Sequence, residues 1–388
     1  MAIDIIARGM IESSKTDISQ LFDITKGGET ASGESSYTIN NAVDYPLLGL
    51  NLYGKSTQDG TPTPDNPVDI VSVGDRGSVS VQTCGKNIFP WNDYTKAPIN
   101  DWGLSSGCTY KVTSSEIQME VAPNTAGTGG GVFIWQENWK DLISPYYGNT
   151  FTISYELRAD SEITVRHGFE IEGIYVDSVV GTEWKRFSCS ATIKNPCNIG
   201  WKTINQPETI LYIRKIQIEI GDTATDYEPY KGSTSTITSA LPLCGIPVDS
   251  GGNYTDSNGQ QWVCDTLVYN ADGTGKIIKR TAKIDSYNGE EITTPYISTT
   301  GALTTGATVI YALAEPQEIA LTAADVSALM QLRTYSGVTN ISNSCNADMD
   351  VKYCTNKMLS EYVLPITMGL QKQIDELRAA VLSMGGNV

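Results

Sequence analysis

The stretch Phe151-Thr-Ile-Ser-Tyr-Glu-Leu-Arg158 decides the fold class of this chain. Apolar and polar residues alternate through it without interruption, and a period of two is the pattern of a β-strand with one buried face. The same period returns twice downstream, at Phe187, Cys189, Ala191 and Ile193 and at Ile216, Ile218 and Ile220. Short strands separated by Gly, Asn and Asp turns predict a β-sandwich or jelly roll.

Working outward from this region, we predict a mainly β, modular chain. It has a central β-sandwich or jelly roll, a second strand-rich domain and helical N- and C-termini. The predicted segments are 1–40 (N-terminal helix and linker), 41–85 (β module with a Pro-rich connection), 86–231 (jelly roll), 232–345 (strand-rich domain with a short helix) and 346–388 (C-terminal helical segment). The short helix is predicted from Thr322-Ala-Ala-Asp325, which has the form of a capping box.

Composition excludes several classes of partner. The 388 residues include 27 Lys and Arg against 44 Asp and Glu, a net charge of −17. Nucleic acids and anionic membrane surfaces would repel such a chain. No apolar run approaches the roughly 18 residues of a transmembrane helix, so we predict no membrane insertion. The first ten residues lack a basic region followed by an apolar one, which predicts no secretory signal and synthesis in a cytosol.

The chain has eight cysteines and one histidine, and their arrangement does not match a zinc site. No Cys-x-x-Cys motif is present, and zinc would need further ligands. Cytosolic synthesis predicts thiols, with local disulfide pairs as the alternative. We predict no cofactor, although the acidic loops leave room for a structural Ca²⁺ ion.

The C-terminal helix is predicted to begin near Pro365 and carries an apolar seam. Its members step by four and three residues, the a/d spacing of a coiled coil: Leu370, Ile374, Leu377, Val381 and Met384. The seam predicts a homo-oligomer. Its side-chain chemistry alone favours a dimer, and the alternative is a helix packed on its own domain.

Aromatic residues cluster in the irregular part of the central domain. They are Trp102, Trp135, Trp139, Tyr146 and Tyr147. Sugars present apolar C–H faces that stack on aromatic rings, so these residues are the candidate glycan site, with core or subunit interface as the alternative. Trp184 begins an alternating strand and is assigned to the core.

No catalytic site is predicted. His167 is the lone histidine and lacks the nucleophile and the orienting acid of a triad, so we expect a structural or surface role. Acid pairs such as Glu170 and Glu172 could serve a glycosidase, but pairs of this kind are typical of a solvated acidic surface.

Three stretches resemble a family of modular tail proteins from phages and prophages of Gram-positive bacteria. They are Leu52-Tyr-Gly-Lys-Ser-Thr-Gln-Asp-Gly-Thr-Pro-Thr-Pro-Asp-Asn-Pro-Val-Asp-Ile-Val-Ser-Val73, the region 283–306, and Tyr311-Ala-Leu-Ala-Glu-Pro-Gln-Glu-Ile-Ala-Leu-Thr322 leading to Thr334-Tyr-Ser-Gly-Val-Thr-Asn-Ile341. The resemblance implies a virion structural protein of a tail tip, baseplate or tail fibre, made in the host cytoplasm. It also implies other tail proteins as partners and a trimer, since tail fibres and spikes are usually trimeric.

A second resemblance lies in the central region. Thr182-Glu-Trp-Lys-Arg-Phe187 and Ile216-Gln-Ile-Glu-Ile-Gly-Asp-Thr-Ala-Thr-Asp-Tyr-Glu-Pro-Tyr230 are similar to the later strands of a carbohydrate-binding-module-like jelly roll. Together the two resemblances imply a tail protein that contributes to binding host cell-surface glycans and is not an enzyme. The alternatives are a tail-associated hydrolase of cell-wall polysaccharide and a structural spacer without a ligand.

Overall fold

A computed structural model describes most of the chain. The described residues are 32–33, 36–42, 44–47, 49–58, 60, 63, 65, 68, 70–71, 78–101, 108–121, 130–171, 174–203, 207–238, 242–270, 273–300, 303–345, 347–352 and 364–383. The predicted N-terminal helix lies outside these residues. Trp102, Cys354 and Met384 also lie outside them.

Most elements are strands, which confirms the mainly β fold class. They are β1 (Ser32–Gly33), β2 (Ser36–Ala42), β3 (Tyr45–Pro46), β4 (Leu50–Tyr53), β5 (Thr57–Gln58), β6 (Ile70–Val71), β7 (Val79–Cys84), β8 (Ile99–Asp101), β9 (Thr109–Val112), β10 (Ile117–Val121), β11 (Gly130–Ile134), β12 (Thr150–Ala159), β13 (Ile163–Phe169), β14 (Val176–Val180), β15 (Lys185–Thr192), β16 (Ile199–Thr203), β17 (Thr209–Ile220), β18 (Gly232–Ile237), β19 (Gly245–Val248), β20 (Tyr254–Thr255), β21 (Gln261–Cys264), β22 (Thr266–Tyr269), β23 (Gly275–Ile284), β24 (Tyr296–Ser298), β25 (Val309–Ala320), β26 (Arg333–Thr334), β27 (Gly337–Asn343) and β28 (Asp348–Val351).

The helices are α1 (Gln136–Ile143), α2 (Ala323–Leu329) and α3 (Leu364–Ser383), with short 3₁₀ turns at Tyr94–Lys96 and Ser144–Tyr146. The capping-box-like start predicted for α2 is confirmed as an N-cap at Thr322. The hydroxyl of Thr322 accepts the backbone N–H of Asp325 at 3.2 Å and donates to its carboxylate at 2.6 Å.

The chain divides into two compact units. The sandwich unit comprises Gln82–Ser233 with Gly337–Ser342, and the second unit comprises the described parts of Met1–Val81, Thr234–Ser336 and Asn343–Val388. The second unit is therefore discontinuous in sequence. The boundaries of the five predicted segments remain a prediction.

The sandwich unit is built from two five-stranded antiparallel sheets. Sheet I has the order β14-β13-β16-β11-β8, and sheet II has the order β15-β12-β17-β10-β9. Their inner faces form one core of 32 buried residues. On β12 the apolar phase of the alternating stretch, Phe151, Ile153, Tyr155 and Leu157, is fully buried. The predicted central β-sandwich is thereby confirmed.

One histidine lies inside this core. His167 on β13 is cross-strand to Trp201 on β16, and its Nδ1 is hydrogen-bonded to the Tyr155 hydroxyl of the opposite sheet. Its Nε2 lies 2.9 Å from the Ser178 hydroxyl. Both ring nitrogens have partners, so His167 has a structural role in the core, which is one of the two roles expected for it.

Helix α1 is amphipathic and closes one end of the sandwich core. Trp139 and Ile143, four residues apart, lie on its buried face. The Trp139 ring stacks on Phe169 with centroids 6.1 Å apart, and its Nε1 donates to the Cys197 carbonyl at 2.8 Å. Trp135, just before the helix, lies on the solvent side and is 45% exposed.

The second unit contains a seven-stranded antiparallel sheet of order β1-β28-β4-β22-β23-β25-β24. The register places Met349, Leu52, Leu267 and Ile277 in one cross-strand row, and all four are fully buried. Smaller sheets of this unit are β19-β21-β20, β26-β3 and β5-β6.

Seven cysteines fall within the described residues, and all are buried with no disulfide between them. The prediction of thiols is confirmed for these seven. Burial raises the pKa of Cys84 to about 12, so its thiol stays protonated at neutral pH.

The predicted C-terminal helix is confirmed as α3. The described side chains of its seam are Ile374 and Leu377, which are 44% and 39% exposed, and Val381, which is half-buried. Within the described residues, no helix is both long and apolar enough to cross a membrane.

We predict that His167 makes the protein less stable in acid. Burial lowers the pKa of His167 to about 4, whereas an unfolded histidine titrates near about 6.5. The unfolded chain thus takes up the proton first. The free energy of unfolding should be unaffected above pH about 6.5 and should fall by about 3 kcal/mol as pH drops to about 4. Denaturant unfolding across this pH range measures the effect.

The matched control is His167→Gln, which keeps a hydrogen-bonding side chain but does not titrate. The difference in unfolding free energy between the two proteins should follow the same pH window. Two curves that stay parallel from pH 7 to pH 4 would contradict the assignment.

A second prediction separates the two tryptophans of the α1 region. Trp139→Ala removes a core side chain and should lower the free energy of unfolding by about 3–5 kcal/mol. Trp135→Ala removes a largely exposed ring and should cost about 1 kcal/mol or less. Guanidinium unfolding compares the two variants. Losses of equal size would show that the two rings are not on opposite sides of the helix start.

Candidate functional site

The strand register of sheet I brings three residues that are far apart in sequence into one row. Ile134 ends β11 and pairs with Ile199, which begins β16, and Ile199 pairs with Phe169, which ends β13. These three side chains face the core. Because side chains alternate along a strand, the next residue on each strand faces outward. Those residues are Trp135, Asn198 and Glu170.

Hydrogen bonds fix the orientation of the polar members of this row. The Glu170 N–H donates to the Asn198 carbonyl at 2.7 Å, which extends the ladder by one pair. The Asn198 side-chain amide donates to Glu170 Oε2 at 2.5 Å, and its oxygen accepts the Gln136 N–H at 2.9 Å. The carboxylate of Glu170 is therefore held in place at the sheet surface.

Tyr175 adds a second exposed ring beside this row. It precedes Val176, which pairs with His167, so it lies next to Gly168 on the outer face. Its hydroxyl lies within the electrostatic influence of Glu170, and the Arg166 guanidinium lies 5.8 Å from its ring centroid. Burial of the hydroxyl and the charge of Glu170 raise the pKa of Tyr175 to about 12, so the hydroxyl is a hydrogen-bond donor at neutral pH.

The neighbouring row of sheet I contains two glycines between aromatic residues. Gly168 pairs with Gly200, and Gly200 pairs with Phe133, whose ring lies 5.8 Å from that of Trp135. Gly168 has φ +118, and a Cβ there would lie 2.8 Å from the Cys189 sulfur, so only glycine fits. The row is consequently without side chains between the Phe133 and Tyr175 positions.

A charged pair forms the next row. Arg166 binds Asp177 through two parallel hydrogen bonds, Nε to Oδ1 and Nη2 to Oδ2, both 2.8 Å long. The Arg166 guanidinium lowers the pKa of Asp177 below its ordinary value. The charge of each partner is thus largely satisfied by the other.

We call the surface formed by Trp135, Asn198, Glu170, Tyr175 and Arg166 the outer platform. Trp135 and Tyr175 are 45% and 37% exposed and lie at its two ends. Between them are the Glu170 carboxylate, which accepts hydrogen bonds, and the Asn198 amide, which can donate them. Rings that stack on apolar C–H faces, with polar groups between them for hydroxyls, form a surface chemically suited to a saccharide.

Of the five aromatic residues predicted as a glycan site, the structure places only Trp135 on the platform. The prediction is wrong for Trp139 and Tyr146, which are core residues 2% and 3% exposed. Burial also raises the pKa of the Tyr146 hydroxyl. Tyr147 is half-buried and packs against the core, and Trp102 lies outside the described residues.

The sequence patterns do not single out Tyr175, Asn198 or Arg166, and they place Glu170 among the acids of a solvated surface. One feature could have identified them: Glu170, Tyr175 and Asn198 each lie directly next to the end of a strand. Trp184 is a further correction. It is half-buried and lies outside the sandwich core cluster, with Arg214 stacked on its ring.

No metal centre emerges from the described parts of the chain, since no group of three or more His, Cys, Asp and Glu residues could hold an ion there. The expectation of no cofactor and the room left for Ca²⁺ stay predictions.

Comparison with known proteins gives only low structural similarity. No family model matches the chain, and no curated protein matches it. A carbohydrate-binding module described as "CBM4 structure and function" is 16% identical, with a TM-score of 0.25, and the match covers 34% of this chain and 94% of that one. The CBM22-1 xylan-binding domain of Paenibacillus barcinonensis Xyn10C is 10% identical, with a TM-score of 0.27, over 36% and 97% of the two chains.

The N-terminal cellulose-binding domain of Cellulomonas fimi beta-1,4-glucanase C is 13% identical, with a TM-score of 0.25, over 34% of this chain and 95% of that one. At these values the similarity assigns no ligand to this chain.

Proposed function

We propose that the sandwich unit binds a glycan on the outer platform and does not cleave it. The observation that carries the proposal is the pair of exposed rings, Trp135 and Tyr175, on either side of the hydrogen-bonded Glu170–Asn198 pair. Each stacked ring contributes about 1–3 kcal/mol, by analogy with base stacking on aromatic side chains. Binding to one platform is therefore weak.

The platform is long enough for more than one sugar. It runs across β11, β16, β13 and β14, which are successive neighbours in sheet I. Three spacings of about 4.8 Å place its ends about 14 Å apart. A ligand that reaches both rings is consequently an oligosaccharide rather than a monosaccharide.

The charges of the platform favour a neutral saccharide. Arg166 is neutralised by Asp177, and Glu170 contributes a negative charge. An anionic ligand at this surface would be repelled locally by Glu170, which no nearby cation of the platform neutralises.

One carboxylate beside the platform, Asp177, is unsuited to the acid role of a glycosidase. A glycosidase needs one carboxylic acid that donates a proton and a second carboxylate that acts as base or nucleophile. Among the described carboxylates around the platform, Asp177 has a lowered pKa in its bidentate pair with Arg166 and stays ionised at neutral pH. It therefore does not supply the acid.

We infer that the glycan-binding unit belongs to a virion structural protein of a phage tail tip, baseplate or fibre, synthesised in the host cytoplasm and attached to other tail proteins. The support comes from the three tail-protein-like stretches in the sequence. A tail carries many copies of its proteins, and linked copies convert weak single-site binding into stable attachment to a host cell surface.

We also propose that α3 joins three copies of the chain. The described residues 371–380 of the helix are all exposed, including Ile374 and Leu377 of the seam. A helix of this length with an uncovered apolar seam is stabilised when a second helix covers the seam. The proposed number of copies follows the tail-protein resemblance.

Glycan binding should depend on both platform rings. Trp135→Ala and Tyr175→Ala should each weaken binding of the full chain to host cell walls or to a glycan array by about fivefold or more, because each removes one stacking contact. The matched control is Tyr296→Ala in the second unit, since Tyr296 is also 37% exposed. All three variants should remain folded, with free energies of unfolding within about 1 kcal/mol of the wild-type value.

The three functional alternatives give different results in this assay. Unchanged binding in both platform variants would remove the site and leave the structural spacer. Release of reducing ends from host walls by the wild-type protein would favour the hydrolase.

The oligomer has its own test. Changing Ile374 and Leu377 together to Asp places charges in the seam and should convert the oligomer to monomer in light scattering at micromolar concentration. Lys372→Gln, which lies on the polar side of α3, is the control and should leave the mass unchanged. A monomeric wild-type protein under these conditions would refute the proposal.

A further inference from the structure

The outer face of sheet II carries a second aromatic cluster, unrelated to the outer platform. Two guanidinium groups are stacked on its two rings. Arg214 lies 3.8 Å from the Trp184 ring centroid, and Arg158 lies 3.7 Å from that of Tyr212. Arg158 is also 5.3 Å from the Trp184 centroid, and the two rings meet edge-on with centroids 6.4 Å apart, so the four side chains form one contiguous cluster.

A β-bulge brings a third cation to the same face. The pairing of β12 with β17 shifts register between Ser154 and Glu156, and Lys215 has φ 51, a left-handed conformation rare for a lysine. As a result the consecutive residues Arg214 and Lys215 both reach Glu156, each at 2.8 Å. Backbone strain of this kind is kept where surrounding structure over-determines it, and it is concentrated at functional sites.

The stacked arginines have hydrogen-bond donors to spare. Arg214 uses Nε for Glu156, and Arg158 uses one terminal nitrogen for Asp160 at 3.3 Å. Within the described residues, no hydrogen bond is made by the two terminal nitrogens of Arg214. Both side chains reach solvent, with 33% and 29% of their surfaces exposed. Stacking on the rings restricts both guanidinium planes, which lowers the entropy lost when they bind a carboxylate.

We propose that the stacked-arginine cluster, defined as Arg158, Trp184, Tyr212, Arg214 and Lys215, binds an acidic polysaccharide through its uronate carboxylates. Guanidinium forks match carboxylates in geometry and charge. The two forks lie on the paired strands β12 and β17 in a diagonal relation, since Arg158 pairs with Tyr212 and Arg214 pairs with Glu156. Diagonal neighbours are about 7–8 Å apart, so two carboxylates of one acidic polysaccharide can engage both. A stiff saccharide that presents regular carboxylates loses less conformational entropy here than an acidic peptide does.

The net charge of −17 does not prevent this, because exposed charges are screened beyond about 8 Å at physiological ionic strength. The cations of this face are Arg158, Arg186, Arg214 and Lys215, and Glu156 and Asp160 pair with three of them. Strand β10 pairs with β17, so Glu116 lies beside Arg214, and its Oε1 accepts a hydrogen bond from Gln118. The proposal therefore depends on the geometry of the two forks and not on an excess of positive charge.

The test is affinity electrophoresis of the full chain in gels containing polygalacturonate. Wild-type protein should be retarded, and the double variant Arg158→Gln/Arg214→Gln should bind about tenfold more weakly, since two charge-assisted contacts are lost. The matched control is Lys96→Gln/Lys276→Gln, which removes the same charge from exposed positions elsewhere. Retardation should decline as salt is raised.

Lys215→Gly provides a variant whose folding is not at risk. Glycine adopts φ 51 without strain, which offsets the lost ion pair with Glu156 and the greater freedom of the unfolded chain, so the melting temperature should change little while polygalacturonate binding falls. Absence of retardation in the wild type, equal losses in the two double variants, or equally tight binding of poly-L-glutamate would each overturn the proposal. Loss of neutral-glycan binding in Trp135→Ala reports only on the outer platform, so the two sites can fail separately.

Discussion

Everything on the outer platform depends on how one buried side chain fixes the register of sheet I. Trp201 on β16 is fully buried, cross-strand to His167 and edge-on to the Tyr155 ring at 5.1 Å. Because the side-chain period of a strand is two, a slip of one residue would turn Trp201 to solvent and Asn198 to the core. The large apolar surface of the indole makes that slip costly. The position of the polar row follows from the burial of the tryptophan.

The two outer faces of the sandwich differ because their strands depart from regular geometry in different places. On sheet I the departure is Gly168, whose positive φ and missing Cβ leave a row without side chains. On sheet II it is the bulge at Lys215, which adds a cation to a face that already holds Arg214. A regular strand would place consecutive residues on opposite faces. The irregular positions therefore determine which chemistry each face presents.

The sequence predicted what local patterning controls and missed what register controls. The β12 alternation, the α2 cap and the start of α3 depend on neighbours within a few positions, and all three were predictable. Glu170 and Asn198 are 28 positions apart and meet only through the pairing of β13 with β16. Trp139 was misassigned because the amphipathic turn of α1 was not recognised among loop-like residues. Trp184 could have been assigned correctly, since Phe187, Cys189 and Ala191 set the inward phase of β15 at odd positions and residue 184 falls on the other.

In the proposed function, the outer platform and the exposed helix α3 would act together in attachment. A platform with two ordered rings would hold one oligosaccharide only briefly, because its stacking energy only partly exceeds the cost of immobilising the ligand. Once the first unit is bound, each linked unit rebinds at an effective concentration set by its tether rather than by its abundance in solution. In helix α3 the described seam residues Ile374 and Leu377 are exposed. This helix is therefore the element that can supply the linkage. A stronger contact in one platform would add only its own free energy to the binding of that platform. Joining three copies of the chain would multiply the avidity without altering any sugar contact.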